Sequence, residues 1–266
     1  MLLKQAEEII KCGKSFPYFC KQYAKMTHPL KGLIPMELEA WQLRLADALE
    51  DNRFVISTKW RQSGISTTTL MYCLWLCMFR ENQKILWVCK TLAEAEDVGR
   101  TLALVINFLP RWMQPRMERN NKREKTFAST GSDILFHCPQ AARGRAVTHL
   151  VIDEAAYIPN MEFHWKCMWP CLSTGGKCFI QSTVNRGGDG LWFSELYLGA
   201  MKNTNCFHVF TSNYKEHPIY QDDSYVKGVK EALGSEGWSI EMEQELFHGL
   251  KCGEITEAGP SPTETT

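Results

Sequence analysis

Two short stretches carry side chains whose types and spacing suit phosphate chemistry: Lys59-Trp60-Arg61-Gln62-Ser63-Gly64-Ile65-Ser66-Thr67 and Asp153-Glu154. The first follows a β-branched run over 54–58 and opens an apolar helix pattern over 67–79, the strand, loop and helix order of a phosphate-binding loop. Gly64 and Ser66 stand where the second glycine and the cation-binding hydroxyl of G-x-x-x-x-G-K-[ST] belong. Ile65 occupies the lysine position and Lys59 the first-glycine position. Because such a loop curls with its N–H groups inward, an ammonium at its first residue reaches the same phosphate oxygens from the opposite side. A strand-end lysine followed by a plain glycine turn would have the same letters, so the loop alone leaves both readings open.

The second stretch ends an apolar strand pattern, Leu150-Val151-Ile152, in two adjacent carboxylates. Magnesium gives such charge a use at a sheet's edge. Asp153 would hold the ion through its water shell, with the Ser66 hydroxyl as a second ligand, and Glu154 would orient and deprotonate an attacking water. Two solvated acids at a strand end are the alternative. Upstream lies Arg143-Gly144-Arg145, where an arginine could spread transition-state charge, in cis or toward a neighbouring subunit, or simply sit beside a glycine turn. Downstream, Ser182, Thr183 and Asn185 place hydroxyls and an amide at a strand's carboxyl end, where an α/β sheet puts its ligand; a polar turn would look the same. Before the loop, Trp41-Gln42 offers an indole stacking face and a carboxamide that suits the Hoogsteen edge of adenine, although each residue alone suits core or surface equally.

The elements that must position these groups follow from periodicity. Residues 1–34 pattern as a helical lead-in ending in a loop, and 35–49 as an amphipathic helix. The helix to Phe79 is apolar on nearly all sides, as expected inside a layered domain. A buried strand spans 85–89, and Thr91 with Glu94 caps a helix running to about Phe108. Residues 110–125 are polar and basic, 126–136 pattern as a hairpin, and 148–153 and 177–182 as buried strands. The glycine-rich stretch 187–190 turns into a helix over 191–201, and a strand over 207–211 follows, with further helix patterns at about 223–233 and 239–247. The domain expected to hold the site is 35–252, and 253–266 has the composition of a disordered tail.

A chain of 266 residues with 44% apolar and 23% charged residues buries a sizeable core. Thirty basic and thirty acidic residues cancel, so global charge nominates no nucleic-acid partner. A local patch must serve, and Arg111, Arg116, Arg119, Lys122, Arg123 and Lys125 form the candidate for DNA or subunit contact, with a solvated basic face as the alternative. Eleven cysteines scatter through apolar runs. Cys73/Cys77 and Cys167/Cys171 have helical spacing without a histidine set, so buried free thiols fit better than zinc or disulfides. No apolar run is long enough to span a membrane, and Lys4, Glu7 and Glu8 interrupt any signal-peptide core.

Taken in order, Trp41-Gln42, Arg61-Gln62-Ser63-Gly64, Arg143-Gly144, the strand ending Asp153-Glu154 and Ser182 to Asn185 resemble the ATPase domain of the large terminase subunit of tailed bacteriophages. The resemblance runs from about Phe16 to about Leu250. It implies an α/β fold with a mainly parallel sheet sandwiched by helices, of the additional-strand, catalytic-glutamate type. It also implies ATP and Mg2+ as cofactors, and hydrolysis coupled to moving double-stranded DNA into a prohead. By the same resemblance Lys59 is the displaced phosphate-loop lysine, Asp153 the magnesium ligand, Glu154 the catalytic base and Arg143 an arginine finger, with Arg61 its rival in cis. The implied partners are DNA, a portal protein, a small terminase subunit and further copies in a ring, with a monomer allowed for the chain alone. The implied place is the host cytoplasm during phage assembly. The family's nuclease domain has no counterpart in this sequence, so no nuclease activity is expected. A helicase-like ATPase and a catalytically silent prophage remnant are the rival readings.

Overall fold

Short runs of branched and aromatic residues, bounded by polar or glycine-containing turns, become the strands of the structure, a computed structural model. The chain divides into two units, Met1–Ser212 and Asn213–Thr266. The structure describes residues 2–28, 30–142, 145–185, 188–213 and 216–217. The helices expected at 223–233 and 239–247, the tail at 253–266 and the expected boundary at 252 lie outside the described residues.

The first unit opens with α1 (Leu2–Lys14) and α2 (Phe16–Tyr23). The loop expected to end this lead-in is instead an antiparallel hairpin of β1 (Lys25–His28) and β2 (Gly32–Pro35), reversed at Gly32, whose φ of 68° suits glycine. The helix expected from residue 35 begins later, as α3 (Ala40–Asp51). Two contacts explain the delay: the Met36 N–H donates to Ala24 O at 3.0 Å, and Gln42 Oε1 accepts the Glu39 N–H at 3.0 Å as part of a capping box.

β3 (Phe54–Thr58) feeds the loop and then α4 (Ile65–Phe79), which is buried on almost every side. β4 (Lys84–Val88) leads to α5 (Leu92–Phe108), where Thr91 Oγ1 accepts the Glu94 N–H at 3.2 Å. The polar segment yields two strands, β5 (Met117–Asn120) and β6 (Glu124–Phe127), and β7 (Ser132–His137) completes the expected hairpin. Then come β8 (His149–Asp153), α6 (Met161–Met168), β9 (Lys177–Ser182), α7 (Leu191–Met201) and β10 (His208–Phe210).

The eight strands β3 to β10 form one sheet in the order β10-β3-β9-β8-β4-β7-β6-β5. Every pairing from β10 to β7 is parallel, and β6 and β5 add an antiparallel edge. The central strands β3, β4, β8 and β9 are buried on both faces, as helical crossovers require. Helix α4 touches α1, α2, α3 and α5, while α6 and α7 form a second group reaching β3 and β10. Parallel direction brings the carboxyl ends of β3, β9 and β8 to one edge. That edge receives the loop, Ser182 and Asp153.

Candidate functional site

The loop's first residue is pinned from β9: the Lys59 N–H donates to Ser182 O at 2.9 Å. Gln62 and Gly64 then take left-handed φ values of 61° and 73°, and Gly64 becomes the N-cap of α4. The first helical bond runs from the Thr68 N–H to Gly64 O, at 2.8 Å. The N–H groups of Gly64, Ser66 and Thr67 have no acceptor among the described residues. Unpaired donors at the positive end of a buried helix of 15 residues form an anion cradle.

Trp41 and Gln42 sit behind this loop, with the indole packed inside the protein. Trp41 is 1% exposed, its indole Nε1 donates to Ser63 O at 3.0 Å, and its ring lies 5.5 Å from that of Trp60. Gln42 uses Oε1 on the Glu39 N–H, while Nε2 donates to Ser63 O at 3.4 Å. Both residues buttress the loop. Ser63 is buried, with Oγ accepting from the Ile65 N–H at 3.4 Å, and Ile65 lies fully in the core.

The charged centre lies between the loop and β8. Lys59 Nζ is 2.6 Å from Asp153 Oδ1, 3.0 Å from Glu154 Oε1 and 2.6 Å from Ser66 Oγ. Burial alone would lower the pKa of this ammonium, but Asp153 and Glu154 outweigh burial and hold it above the ordinary lysine value. Burial likewise pushes Glu154 up, and Lys59 and the Thr183 N–H more than reverse this, leaving its pKa below the usual carboxylate range. Glu154 is therefore ionised at neutral pH.

Glu154 is held from two directions. Its backbone is left-handed, φ 52° and ψ 45°, a conformation costing about 1–2 kcal/mol in a residue with a Cβ. Oε2 accepts from the Thr183 N–H at 2.9 Å, Thr183 Oγ1 at 3.0 Å and Ser182 Oγ at 3.4 Å. Around it, Asn185 Nδ2 donates to Ala156 O at 2.8 Å, and the Tyr157 hydroxyl donates to Val184 O at 2.8 Å. The turn after β9 is thus tied to the turn after β8.

Asp153 Oδ1 and Ser66 Oγ lie 3.1 Å apart. Lys59 Nζ already sits 2.6 Å from each, so the position these two oxygens define suits a cation. Among the described residues no cluster of three His, Cys, Asp or Glu could hold a metal. One carboxylate and one hydroxyl are nonetheless the small protein share that magnesium takes, with water and phosphate oxygens supplying the rest.

The remaining expected residues are placed as follows. Arg61 is exposed at the loop's tip, with no hydrogen-bonding or ionic partner among the described residues. Arg143 and Gly144 lie outside the described residues. The basic segment is partly ion-paired: Arg119 pairs with Glu124 at 2.9 Å, and Lys122 and Arg123 pair with Glu96 at 2.9 and 3.3 Å, while Arg111 and Arg116 are exposed without an ionic partner among the described residues. Lys125 is 1% exposed and donates to Asn121 O. The residue that sequence reasoning passed over is Gln181, fully buried in the centre of the site. A lone carboxamide near the end of the otherwise apolar run Cys178-Phe179-Ile180 was its signal.

A mostly parallel sheet, a glycine loop opening a buried helix and an acidic pair on the strand once removed define the class: this is the α/β fold of phage large-terminase ATPase domains. The likeness extends across most of the chain. The bacteriophage HK97 large terminase superposes with a TM-score of 0.62 at 15% identity, over 91% of this chain and 52% of that one. The Thermus phage P74-26 large-terminase ATPase domain gives 0.57 at 18% identity, over 75% and 90%. The large terminase of a thermophilic bacteriophage, solved in complex with ATP-γ-S, gives 0.50 at 17% identity, over 65% and 44%. The chain spans about half the length of the HK97 protein it matches. No sequence-family model matches it.

Proposed function

We propose that this chain is a magnesium-dependent ATPase of the additional-strand, catalytic-glutamate type, serving as the motor part of a phage terminase that moves double-stranded DNA into a prohead. The observation that carries the reading is Glu154: ionised, fixed by Ser182 and Thr183, and 3.0 Å from the phosphate-loop lysine. Strand β9, inserted between β3 and β8, supports the additional-strand assignment. The solved complex of a fold relative with ATP-γ-S supports nucleotide as the ligand.

In this reading the N–H groups of Gly64, Ser66 and Thr67 cradle the phosphates, and Lys59 turns from Asp153 to their oxygens. Ser66 and Asp153 would hold magnesium, which when bound supplies charge neutralisation at the transferring phosphoryl group. Glu154 Oε1 accepts the proton of the attacking water, while Oε2 stays anchored to the strand end. Because Ser182 and Thr183 share that carboxylate, loss of the γ-phosphate registers in the backbone after β9. Arg61 is available to the phosphates in cis, and Arg143 is the candidate to act in a neighbouring copy's site. The portal, the small terminase subunit and DNA are the partners this role requires.

Glu154→Gln tests the assignment. It keeps shape and most hydrogen bonds and removes the base, so steady-state ATP hydrolysis should fall about 10²–10⁴-fold while nucleotide binding persists. Hydrolysis at the parent rate would sink the catalytic assignment.

A further inference from the structure

One buried polar side chain at the centre of the site has no role in the scheme above. Gln181 is fully buried on β9, level with Asp153 on β8 and Ser57 on β3. Its Nε2 donates to Asp153 Oδ1 at 2.9 Å and to Ser66 Oγ at 3.2 Å, and its Oε1 faces Thr69 Oγ1 at 3.3 Å. We propose that Gln181 is the positioning residue of the cation site, holding the Asp153 carboxylate and the Ser66 hydroxyl side by side, facing the place where a small divalent ion and its water shell would sit. The proposal rests on the reading of this site as a magnesium-nucleotide site.

Chemistry fixes the carboxamide's orientation. A carboxylate only accepts, so the nitrogen must face Asp153, which leaves the carbonyl toward Thr69 Oγ1, whose one proton is shared with Ile65 O at 2.9 Å. The one amide nitrogen then touches both candidate ligands. Those ligands come from different elements, the first turn of α4 and the end of β8. Besides the Lys59 ammonium, 2.6 Å from each, the group that reaches both comes from the strand lying between β3 and β8, where Gln181 is in register with Asp153.

Ser66 Oγ donates to Asp153 Oδ1 at 3.1 Å, which keeps the two oxygens side by side where an ion and its water shell can meet both. Burying a carboxamide without partners is costly, and here every partner is a site residue or the α4 hydroxyl beside it.

Mn2+ is the probe. Its binding to the full chain with ADP or ATP-γ-S is followed by electron paramagnetic resonance for the parent, Gln181→Met and Gln181→Asn. Methionine keeps the length and removes the donor, and asparagine keeps the donor and withdraws it by one methylene. Metal-free binding of a fluorescent ADP and circular dichroism are measured in parallel. Expected is a loss of about 10–100-fold in Mn2+ affinity for both variants, the range for groups that orient metal ligands, with metal-free nucleotide affinity unchanged. Parental Mn2+ affinity in a folded variant would overturn the proposal, as would an equal loss of metal-free nucleotide binding. A parent that binds nucleotide with no Mn2+ dependence would instead overturn the reading of the site on which the proposal rests.

Discussion

At the scale of single residues the site depends on a few positions where no other side chain does the same work, and Gly64 is the sharpest. Its φ of 73° favours glycine, and a Cβ there would come 2.3 Å from Gln42 Nε2. Backbone strain alone is about 1–2 kcal/mol. Gly64→Ala should therefore destabilise the chain by at least that amount in urea unfolding and weaken ADP binding, because the N–H cradle begins at this residue. Adding Gln42→Ala separates the two causes: it removes the clash and leaves the strain, so the double variant should recover only part of the lost stability. Parental stability and ADP affinity in Gly64→Ala would show that the loop does not need this conformation. The roles of Trp41 and Gln42 were less legible than those of Gly64 or Asp153. Residue type states that an indole and a carboxamide suit adenine, but only packing states that both are spent on Ser63 and the α3 cap.

At the scale of elements, the parts easiest to read were those with a strong period or a capping signal. Strands β8 and β9, the cap at Thr91 and the helix from Leu191 to Met201 were legible because apolar runs and turn residues agree there. Strand β5 was not. Met-Glu-Arg-Asn has no strand pattern, and it is a strand only because β6 lends it hydrogen bonds and Glu124 answers Arg119. Its neighbour Gly99 in α5 was equally silent. A Cβ at Gly99 would lie 1.9 Å from Lys122 O and 3.2 Å from Phe136 Cδ2, so this glycine lets α5 settle on the turn between β5 and β6. In an open helix, glycine to alanine gains about 1 kcal/mol. Here the obstacle is backbone, and Gly99→Ala should lose about 1–3 kcal/mol through overpacking. The sign is decisive: a rise in melting temperature for Gly99→Ala would mean the helix and hairpin are not in contact at this point.

At the scale of the whole molecule, the sheet has two chemically distinct edges, and they answer to pH separately. The carboxyl edge holds Lys59 and Glu154 in their charged forms. Glu154, depressed in the folded state, contributes stability that is complete above its ordinary value of 4.5 and is lost as pH falls further. The opposite edge holds His149 at the start of β8, where burial and the nearby Lys177 lower its pKa from 6.5 to about 4, with Glu50 opposing them. A histidine kept neutral by folding contributes stability that is present above pH 6.5. That contribution drains away between 6.5 and about 4, because across this window the unfolded chain binds the proton and the folded chain does not. After allowance for partial solvent screening, the loss is about 2–3 kcal/mol. Acid should therefore weaken the fold well before it reaches Glu154. Urea unfolding at pH 7.5, 6.0 and 4.8 should show this early decline in the parent, and His149→Gln should flatten it while leaving any loss below pH 4.5 in place. An equally steep decline in His149→Gln would place the acid-sensitive group elsewhere. A flat profile in both would mean that β8 carries its histidine without the burial that lowers its pKa.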